Sequence, residues 1–286
     1  LGFNRLSMGV QDLSPDVQYA IGRNQTGKQT EATYALGRDL GFTGINMDLI
    51  YGLPRQNPYD WQRTMDMISE WKPDRLAVYS YAHVPWVKPQ QMQINEAELP
   101  KGPEKFALFE IAVKGLLAAG YEPIGFDHFA LPTDELAQGI HNGRLHRNFM
   151  GYTVSVSRDM VGLGLSSIGE IGGCFAQNDS RLGGYYRRMD ESGTGVHRGW
   201  SLSQDDKIRQ ETILAIMCRM RLSFAELDAK LNVDSRDYFR DEITRLDEFV
   251  DDELVEINDD GFAVTPRGRH FVRNVAMIFD AYLPKI

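Results

Sequence analysis

The chain has 286 residues, of which 42% are hydrophobic and 25% charged, with a formal net charge of −9 and two cysteines. This length suits two modest domains or one large and one small, and the acidic balance argues against a nonspecific nucleic-acid coat. Its apolar runs fall short of the roughly 18 residues that a membrane span needs, its first residues do not form a signal peptide, and its cysteines do not make a disulfide framework, so we expect a protein of the reducing cytoplasm.

Strands and helices alternate in the first two-thirds of the chain. The predicted strands are residues 5–10, 45–50 and 75–81, and the predicted helices are residues 30–40, 60–71 and 104–119. In the second helix, Trp61, Met65, Ile68 and Trp71 recur at the helical spacing. This βαβαβα order predicts a parallel sheet with helices outside, either curled or open.

The composition changes over residues 125–173, where glycine, histidine and aromatic residues crowd together. We predict a short helix over residues 135–140 and a buried strand over residues 160–168. Cys174 is predicted to be a small buried side chain, and Cys218 to belong to a helical core. A segment this long with few regular elements is typical of a functional loop or lid.

Beyond residue 200 the pattern is helical and then becomes a hairpin. Predicted helices over residues 205–218, 223–231 and 238–249 precede an Asp-Gly turn at 258–261, flanked by alternating apolar residues. This order predicts a winged-helix-like domain. The basic residues after Pro266 would suit DNA, but the acidic residues of the third helix and of the wing would repel phosphates. A lid or packing domain is therefore the favoured interpretation.

Asp48 lies in the middle of an apolar strand, where an ionised carboxylate is costly unless it is paired. Either backbone groups or Arg75 satisfy it, or it faces the carboxyl end of a barrel, where functional sites collect. The residues alone leave both interpretations open. Gln11 ends the first strand and Arg23 follows a turn; on general grounds both are ordinary surface residues.

Two polar and aromatic clusters lie at residues 126–130 and 146–149. A structural His–Asp hydrogen bond would explain either histidine alone, but two clusters in one irregular segment favour a pocket for a flat, carboxylated ligand. We assign His128 and Arg147 to substrate binding, since the Arg147 guanidinium can pair with a carboxylate. The histidine spacing does not predict a zinc site.

Three segments, in this order and spacing, resemble the oxygen-independent coproporphyrinogen III oxidases of the radical S-adenosyl-L-methionine (SAM) superfamily. They are Asn-Arg-Leu-Ser-Met-Gly-Val-Gln-Asp at 4–12, Asn-Met-Asp-Leu-Ile-Tyr-Gly-Leu-Pro at 46–54 and His-Arg-Asn-Phe at 146–149. The resemblance covers nearly the whole chain. It implies an α/β fold in which part of a (β/α) radical-SAM-type barrel and a Gly/His-rich substrate segment occupy residues 1–200, followed by the winged-helix-like domain at 201–286.

The implied activity is that of an oxidoreductase of porphyrin and heme biosynthesis. It decarboxylates two propionates of coproporphyrinogen III to vinyl groups, giving protoporphyrinogen IX, by way of a 5′-deoxyadenosyl radical generated from SAM at a [4Fe–4S] cluster. The family holds that cluster on a CxxxCxxC run, which this sequence lacks. We therefore expect the cluster ligands in a missing N-terminal part, and we expect this chain alone to be inactive.

The resemblance also implies the partners. These are coproporphyrinogen III and an external electron donor, with neither nucleic acid nor membrane, and the full-length form is expected to be a monomer. The chain as given is expected to expose a sheet edge beside its first strand and to self-associate there. A catalytically inactive porphyrin-binding or heme-binding homologue is the alternative function, and a winged-helix DNA-binding protein is less favoured.

The implied first SAM site uses four residues. Gln11 and Asp48 match contacts to the ribose, Arg23 matches the contact to the SAM carboxylate, and Ala82 matches a contact to the adenine. A second SAM, beside the first, matches Phe149, Met150 and Ile168. Met150 departs from the family, which usually has glutamine there. A methionine cannot reproduce the hydrogen bonds of an amide, so this difference bears on the second site.

Overall fold

The computed structural model describes residues 2–155, 157 and 159–283. Contacts within the chain divide it into two compact units, residues 1–138 and residues 139–286. We call these the first and the second unit. The predicted division between residues 200 and 201, which came from composition and resemblance, stays a prediction.

The first unit alternates strands and helices as predicted. Its strands are β1 (Arg5–Gln11), β2 (Gly44–Tyr51), β3 (Arg75–Ser80), β4 (Glu122–Ile124) and β5 (His128–Ala130). Its helices are α1 (Pro15–Ala20), α2 (Gly27–Asp39), α3 (Pro58–Trp71) and α4 (Gly102–Ala118), and α5 (Glu135–His141) reaches the second unit. The sequence pattern missed α1 and the β4–β5 hairpin, whereas the other elements confirm their predictions within a few residues.

These five strands form one sheet in the order β1-β2-β3-β5-β4. The first three strands are parallel, as predicted, and β5 and β4 extend the sheet in antiparallel pairing. Parallel neighbours need crossover connections, which α2 and α3 provide. Among the described residues β1 pairs only with β2, so it lies at one end of the strand order; self-association there stays a prediction.

One face of this sheet carries the core of the first unit. The buried strand residues include Met8, Val10, Ile45, Met47, Leu49, Leu76 and Val78. The predicted apolar stripe of α3 is buried with them, because Trp61, Met65 and Ile68 belong to the same cluster. Since strand side chains alternate between faces, the residues between these core positions project from the opposite face of the sheet.

The second unit begins with two small antiparallel assemblies. β6 (His146–Asn148) and β7 (Gly151–Thr153) form a hairpin. β8 (Ile168–Ile171), β9 (Cys174–Asn178) and β10 (Val196–Ser201) form a three-stranded sheet in the order β10-β9-β8. Helix α6 (Leu182–Ser192) connects β9 to β10.

The C-terminal part follows the predicted order of helices and a hairpin. Its helices are α7 (Gln204–Arg219), α8 (Phe224–Leu231), α9 (Ser235–Tyr238), α10 (Arg240–Arg245), α11 (Asp247–Asp251) and α12 (Val272–Met277). Its strands are β11 (Arg221–Ser223), β12 (Val255–Asn258) and β13 (Gly261–Val264). The predicted hairpin is confirmed, with β13 between β12 and β11. Within the described part of the chain, no helix has both the length and the apolar character that crossing a bilayer requires.

Three local predictions are wrong. Residues 160–168 are not a buried strand: only Met160 makes a bridge, to Glu170, and Leu163 is 84% exposed. The glycines there, including Gly164 with φ of +84°, turn the chain instead of extending it. The predicted helix over residues 238–249 is divided among α9, α10 and α11.

Cys174 is the third error, because its thiol is exposed and not buried. It begins β9, in a small sheet whose strands β9 and β10 have no fully buried residue. Cys218 is buried in α7, as predicted.

Candidate functional site

A row of residues crosses the sheet of the first unit on the face opposite its core. Gly9 of β1 is in register with Asp48 of β2, Asp48 with Ala77 of β3, and Ala77 with His128 of β5. Residues in register on neighbouring strands project from the same face. Asp48 and His128 therefore lie on one surface, with the small Ala77 between them and Gly9 on the other side of Asp48.

Gly9 leaves room for two of the predicted SAM contacts. A Cβ atom at Gly9 would lie 2.7 Å from Nε2 of Gln11 and 3.5 Å from Nη2 of Arg23. The amide and the guanidinium thus lie over the side of Gly9 on which a side chain would project. Because Gly9 is also the register neighbour of Asp48, three of the four predicted first-site residues gather around one glycine.

The backbone at Gln11 makes this arrangement possible. Gln11 has φ of +68°, in the left-handed region that residues other than glycine seldom adopt. The register with β2 also shifts between Gly9 and Gln11. A shift of this kind re-aims a side chain at the end of a strand, and here the Gln11 amide turns back over Gly9.

Arg23 is held by neighbouring polar groups. Its Nη2 donates to the carbonyl oxygen of Gly9 and, at 2.8 Å, to Oε1 of Gln25, to which its Nε also donates at 3.1 Å. Gln25 is fixed in turn, because its Nε2 donates to Oγ1 of Thr30 at 2.9 Å. These contacts orient a planar fork of the kind that binds carboxylates.

Asp48 is partly exposed and accepts a hydrogen bond from its own strand. Nδ2 of Asn46 donates to Oδ1 of Asp48 at 2.8 Å and to Oγ of Ser7 at 3.0 Å. The guanidinium of Arg75, one of the groups considered as a partner for Asp48, pairs with Asp134 at 2.7 Å and Glu135 at 3.0 Å instead. This geometry favours the interpretation in which Asp48 faces a site.

Ala82 lies in the loop after β3, just beyond the carboxyl end of that strand. Ala82 is exposed, and its carbonyl oxygen accepts a hydrogen bond from Nε2 of Gln91 at 3.0 Å. Just before it, Tyr81 accepts at its carbonyl oxygen a bond of 2.6 Å from Nζ of Lys105. Burial lowers the pKa of Lys105. Ala82 thus lies on a loop tied back to the body of the unit.

His128 and Asp127 form a close pair at the start of β5. Nδ1 of His128 lies 2.6 Å from Oδ1 of Asp127, and the imidazole meets the ring of Tyr79 edge-on with centroids 5.8 Å apart. The predicted structural His–Asp hydrogen bond is therefore present. The same histidine also belongs to the row that contains Asp48, so the structural and the ligand-binding interpretations of His128 are compatible.

In the second unit, two of the predicted second-site residues line a cleft of about 290 Å³. The residues around it are Phe149, Ile168, Phe175, Ala176, Gln177, Arg198, Gly199 and Trp200. Met150 is not among them, and it is 88% exposed. Nε of Arg198 donates to Oε1 of Gln177 at 2.8 Å, so one cation stands in an otherwise largely apolar wall.

Arg147 lies elsewhere in the second unit. It pairs with Tyr152 across the β6–β7 hairpin, and its guanidinium carbon is 5.5 Å from the centre of the Tyr152 ring. Burial raises the pKa of the Cys218 thiol to about 12, against the lowering effect of the charge on Arg147. Arg147 therefore lies near Cys218, in the last turn of α7, and is not among the residues that line the aromatic cleft.

A buried polar network behind Gln11 escaped the sequence analysis. Asp12 is 1% exposed, and its carboxylate accepts hydrogen bonds from the backbone N–H of Ser14 at 2.8 Å, Oγ1 of Thr64 at 2.9 Å and Nε2 of Gln56 at 2.6 Å. Burial raises the pKa of Asp12 above its ordinary value, although these hydrogen bonds oppose the shift. The signal available was a second polar residue directly after Gln11.

Neither cysteine lies in a metal-binding cluster. Among the described residues, no group of three or more His, Cys, Asp or Glu side chains is arranged to hold a metal ion. The 44 positions between Cys174 and Cys218 also exclude a CxxxCxxC run within this sequence.

The known proteins that this chain resembles carry closely related names. A family model described as the HemN C-terminal domain matches residues 202–271. The oxygen-independent coproporphyrinogen III oxidase of Escherichia coli is 42% identical over 282 residues, which are 99% of this chain and 62% of that protein. The enzyme of the same name from Thermostichus vulcanus is 37% identical over 284 residues, which are 99% of this chain and 87% of that protein.

A solved structure gives the same result for the fold. It is described as "Coproporphyrinogen III oxidase (HemN) from Escherichia coli is a Radical SAM enzyme", with a TM-score of 0.95 and 41% identity. The match covers 99% of this chain and 65% of that one. The present chain thus spans about 62% of the length of several curated relatives.

Proposed function

This chain belongs to the family of oxygen-independent coproporphyrinogen III oxidases, and on that premise we propose that it provides the SAM-binding and substrate-binding part of such an oxidase. The proposed reaction converts two propionates of coproporphyrinogen III to vinyl groups, with loss of carbon dioxide, and gives protoporphyrinogen IX. SAM, held by residues of this chain and reduced by one electron from the donor, would supply the radical chemistry that removes a hydrogen atom from a propionate. An external electron donor and a cytoplasmic location belong to the same proposal.

The observation that carries the proposal is the space over Gly9. The Gln11 amide lies where a side chain at position 9 would be, the Arg23 guanidinium lies next to that space, and Asp48 is the register neighbour of Gly9. An amide, a carboxylate and a guanidinium side by side offer complementary partners to a ligand that has both hydroxyl groups and a carboxylate. The residues of this chain therefore fit SAM.

Each first-site residue has a proposed role that its chemistry supports. Asp48 and Gln11 accept hydrogen bonds from the ribose hydroxyls, and Arg23 pairs with the SAM carboxylate, for which its planar fork is suited. Ala82, on the exposed loop after β3, packs against the adenine. Holding these groups in a fixed arrangement aligns the cofactor with the substrate before reaction, and this alignment is the protein's main contribution to catalysis.

The [4Fe–4S] cluster does not fit the residues of this chain. Such clusters are held by cysteine thiolates, and Cys174 and Cys218 are the only cysteines in the sequence. We therefore derive no step through a cluster. Anaerobic treatment of the 286-residue chain with iron and sulfide should leave it without a stoichiometric cluster, as measured by iron content and electron paramagnetic resonance. A stoichiometric four-iron cluster with turnover would contradict this.

The second unit is proposed to hold the second SAM in its aromatic cleft. Phe149 and Ile168 line that cleft with Trp200, and flat aromatic walls suit an adenine ring. Arg198 adds a cation that would pair with a carboxylate. Met150 lies outside the lining, so we propose that its departure from glutamine weakens this second site without abolishing it.

Substrate binding is the third part of the proposal. His128, in the row with Asp48, is proposed to contact the porphyrinogen near the first SAM. Arg147 is proposed to contribute positive charge for a propionate, although its packing against Tyr152 means that it must act from the hairpin β6–β7. These two assignments rest on residue chemistry and not on a shared pocket.

A chimera tests the function as a whole. This chain would replace the 282 residues that it matches in the Escherichia coli enzyme, and we call the product the chimera. We expect the anaerobically reconstituted chimera to convert coproporphyrinogen III to protoporphyrinogen IX, measured as protoporphyrin fluorescence after oxidation. The unmodified parent enzyme is the control. A chimera that binds SAM and porphyrinogen without turnover, next to an active parent, would favour the inactive porphyrin-binding homologue.

A further inference from the structure

We propose that Asp12 is a positioning residue, whose buried carboxylate holds the left-handed turn at Gln11 so that the Gln11 amide and the Arg23 guanidinium face Asp48. Asp12 is buried behind the site and would not touch a ligand there. The ligand that this arrangement serves, SAM, rests on the proposed function above, but the positioning itself is a property of this chain.

The turn at Gln11 needs support. A residue with a side chain at φ of +68° is strained, and such residues persist only where the surrounding structure holds them. The backbone N–H of Asp12 donates to the carbonyl oxygen of Val10 at 2.9 Å, so Gln11 is the central residue of a three-residue turn. Glycine would adopt this conformation without strain. The strain of having a glutamine here is therefore explained if the turn serves to hold the Gln11 side chain over Gly9.

The Asp12 carboxylate ties this turn to two other elements. Thr64, in α3, donates its hydroxyl to Oδ1, and Gln56, in the loop between β2 and α3, donates its amide to Oδ2. The same Gln56 accepts at Oε1 from the backbone N–H of Gly52 at 2.6 Å and donates to the carbonyl oxygen of Ile50 at 3.0 Å. One carboxylate therefore joins the ends of β1 and β2 to the first turns of α3.

A second branch runs from Asp12 to Arg23. Nε2 of Gln18 donates to the carbonyl oxygen of Asp12 at 2.5 Å, and Oε1 of Gln18 accepts from the backbone N–H of Gln25 at 3.3 Å. Gln25 is the residue whose Oε1 holds the Arg23 guanidinium. This branch starts at the backbone carbonyl of Asp12, so the carboxylate acts on Arg23 by fixing the backbone to which Gln18 is bonded. It acts on Gln11 through the turn that the Asp12 backbone N–H closes.

The position of each side chain can be measured directly. In the ¹⁵N-labelled 286-residue chain, nuclear magnetic resonance reports the side-chain amide of Gln11 and the Nε–H of Arg23, assigned with Gln11→Met and Arg23→Lys. Asp12→Asn places a donor opposite the Gln56 amide, so we expect both signals to move. Tyr121→Phe is the control, because it deletes a buried hydrogen bond of the same unit, from the Tyr121 hydroxyl to the carbonyl oxygen of Pro73 at 2.6 Å, in which no residue of the turn takes part.

Tyr121→Phe should lower the unfolding midpoint and leave both signals in place. If Asp12→Asn is destabilised to a similar degree and also leaves both signals in place, Asp12 is only a structural residue and the proposal is overturned. If Asp12→Asn does not fold, Thr64→Val supplies the test, since it removes one bond to the carboxylate. Thr64→Ser keeps the hydroxyl and should restore the wild-type signals; unmoved signals in Thr64→Val would overturn the proposal.

The SAM dissociation constant of the chimera separates positioning from function. We expect Asp12→Asn or Thr64→Val to weaken SAM binding at least fivefold there, and Thr64→Ser to restore it. Moved signals in the chain with unchanged SAM affinity in the chimera would leave the positioning of Gln11 and Arg23 intact and overturn their proposed role toward SAM.

Discussion

The two candidate sites are built in different ways. In the first unit, Gln11, Arg23 and Asp48 are fixed by strand register and by hydrogen bonds that lead into a buried network. In the second unit, the cleft is walled by exposed rings, and its contacts include the edge-on pair of Phe149 and Phe175 with centroids 5.1 Å apart. Apolar walls tolerate rearrangement better than a set of hydrogen bonds whose partners would otherwise be left unsatisfied. Substitutions should therefore have larger effects in the first unit.

The largest effect is expected at Gly9. In the chimera, Gly9→Ala should weaken SAM binding a hundredfold or more, equivalent to about 2.8 kcal/mol, because the new methyl group fills the space over Gly9 and displaces the Gln11 amide, whose nitrogen would lie 2.7 Å from it. Calorimetric titration measures this. Gly115→Ala, inside α4, is the control. Its Cβ would make an ordinary contact of 3.8 Å with Met65 of α3, so the substitution should stabilise the helix by about 1 kcal/mol and leave SAM binding unchanged. Wild-type affinity in Gly9→Ala would remove the main support for this site.

Asp48→Ala is expected to have the next largest effect. SAM binding by the chimera should weaken by about 1–3 kcal/mol, the range for losing hydrogen bonds to a charged group. The free energy of unfolding should change little, because Asp48 is partly exposed and its hydrogen-bond partner among the described residues is Asn46, on the same strand. Asn46→Ala, which removes that partner but no ligand contact, is the matched control. Equal SAM affinity in Asp48→Ala and wild type would contradict the ribose assignment.

The regular elements explain why the sequence could place Asp48 and its register neighbours on one face of the sheet but could not indicate the buried network around Asp12. Asp48 stood out because a carboxylate in an apolar strand is unusual, and the parallel order of the strands placed its register neighbours on the same face. Gln11 and Arg23 were assigned by resemblance alone. Nothing in their local pattern indicated a left-handed turn. The side chains that donate to the Asp12 carboxylate are far away in sequence, Gln56 by 44 positions and Thr64 by 52.

In the second unit, the sequence predicted one regular element correctly and one incorrectly. Its hairpin over β12 and β13 followed from a strong turn signal, but Leu163 and Leu165 led to a buried strand that does not exist. Periodicity cannot distinguish a short buried strand from an exposed glycine-rich loop, because burial depends on what packs from elsewhere in the chain. For the same reason Cys174 was expected inside, whereas the small sheet that contains it is largely uncovered.

A stability measurement sharpens the comparison by isolating the strain at Gln11. Gln11→Gly should raise the free energy of unfolding by about 1 kcal/mol, because relief of a strained conformation, about 1–3 kcal/mol, exceeds the entropic penalty of glycine, about 0.5–1 kcal/mol. The same variant should lose SAM affinity in the chimera. Lys72→Gly is matched to it, since Lys72 has φ of +56° at the end of α3, and should gain stability without losing affinity. Denaturant unfolding of both variants checks this, and a destabilised Gln11→Gly would show that the turn carries no strain.

The smallest effect is expected in the aromatic cleft. Met150→Gln supplies the amide that the family usually has at this position, and it should tighten binding of a second SAM by about 0.5–1.5 kcal/mol, the usual net contribution of one hydrogen bond. Equilibrium dialysis of the chimera, with the first site saturated, measures the second dissociation constant. The free energy of unfolding should not change, because Met150 is 88% exposed and contributes little packing. Met150→Leu controls for a change of side chain without an amide and should leave the second dissociation constant unaltered. If Met150→Gln and Met150→Leu give the same second dissociation constant, the amide has no role at this site. That result would contradict the assignment of position 150 to a second SAM. The assignment of Phe149 and Ile168 would remain, because it rests on the cleft that they line.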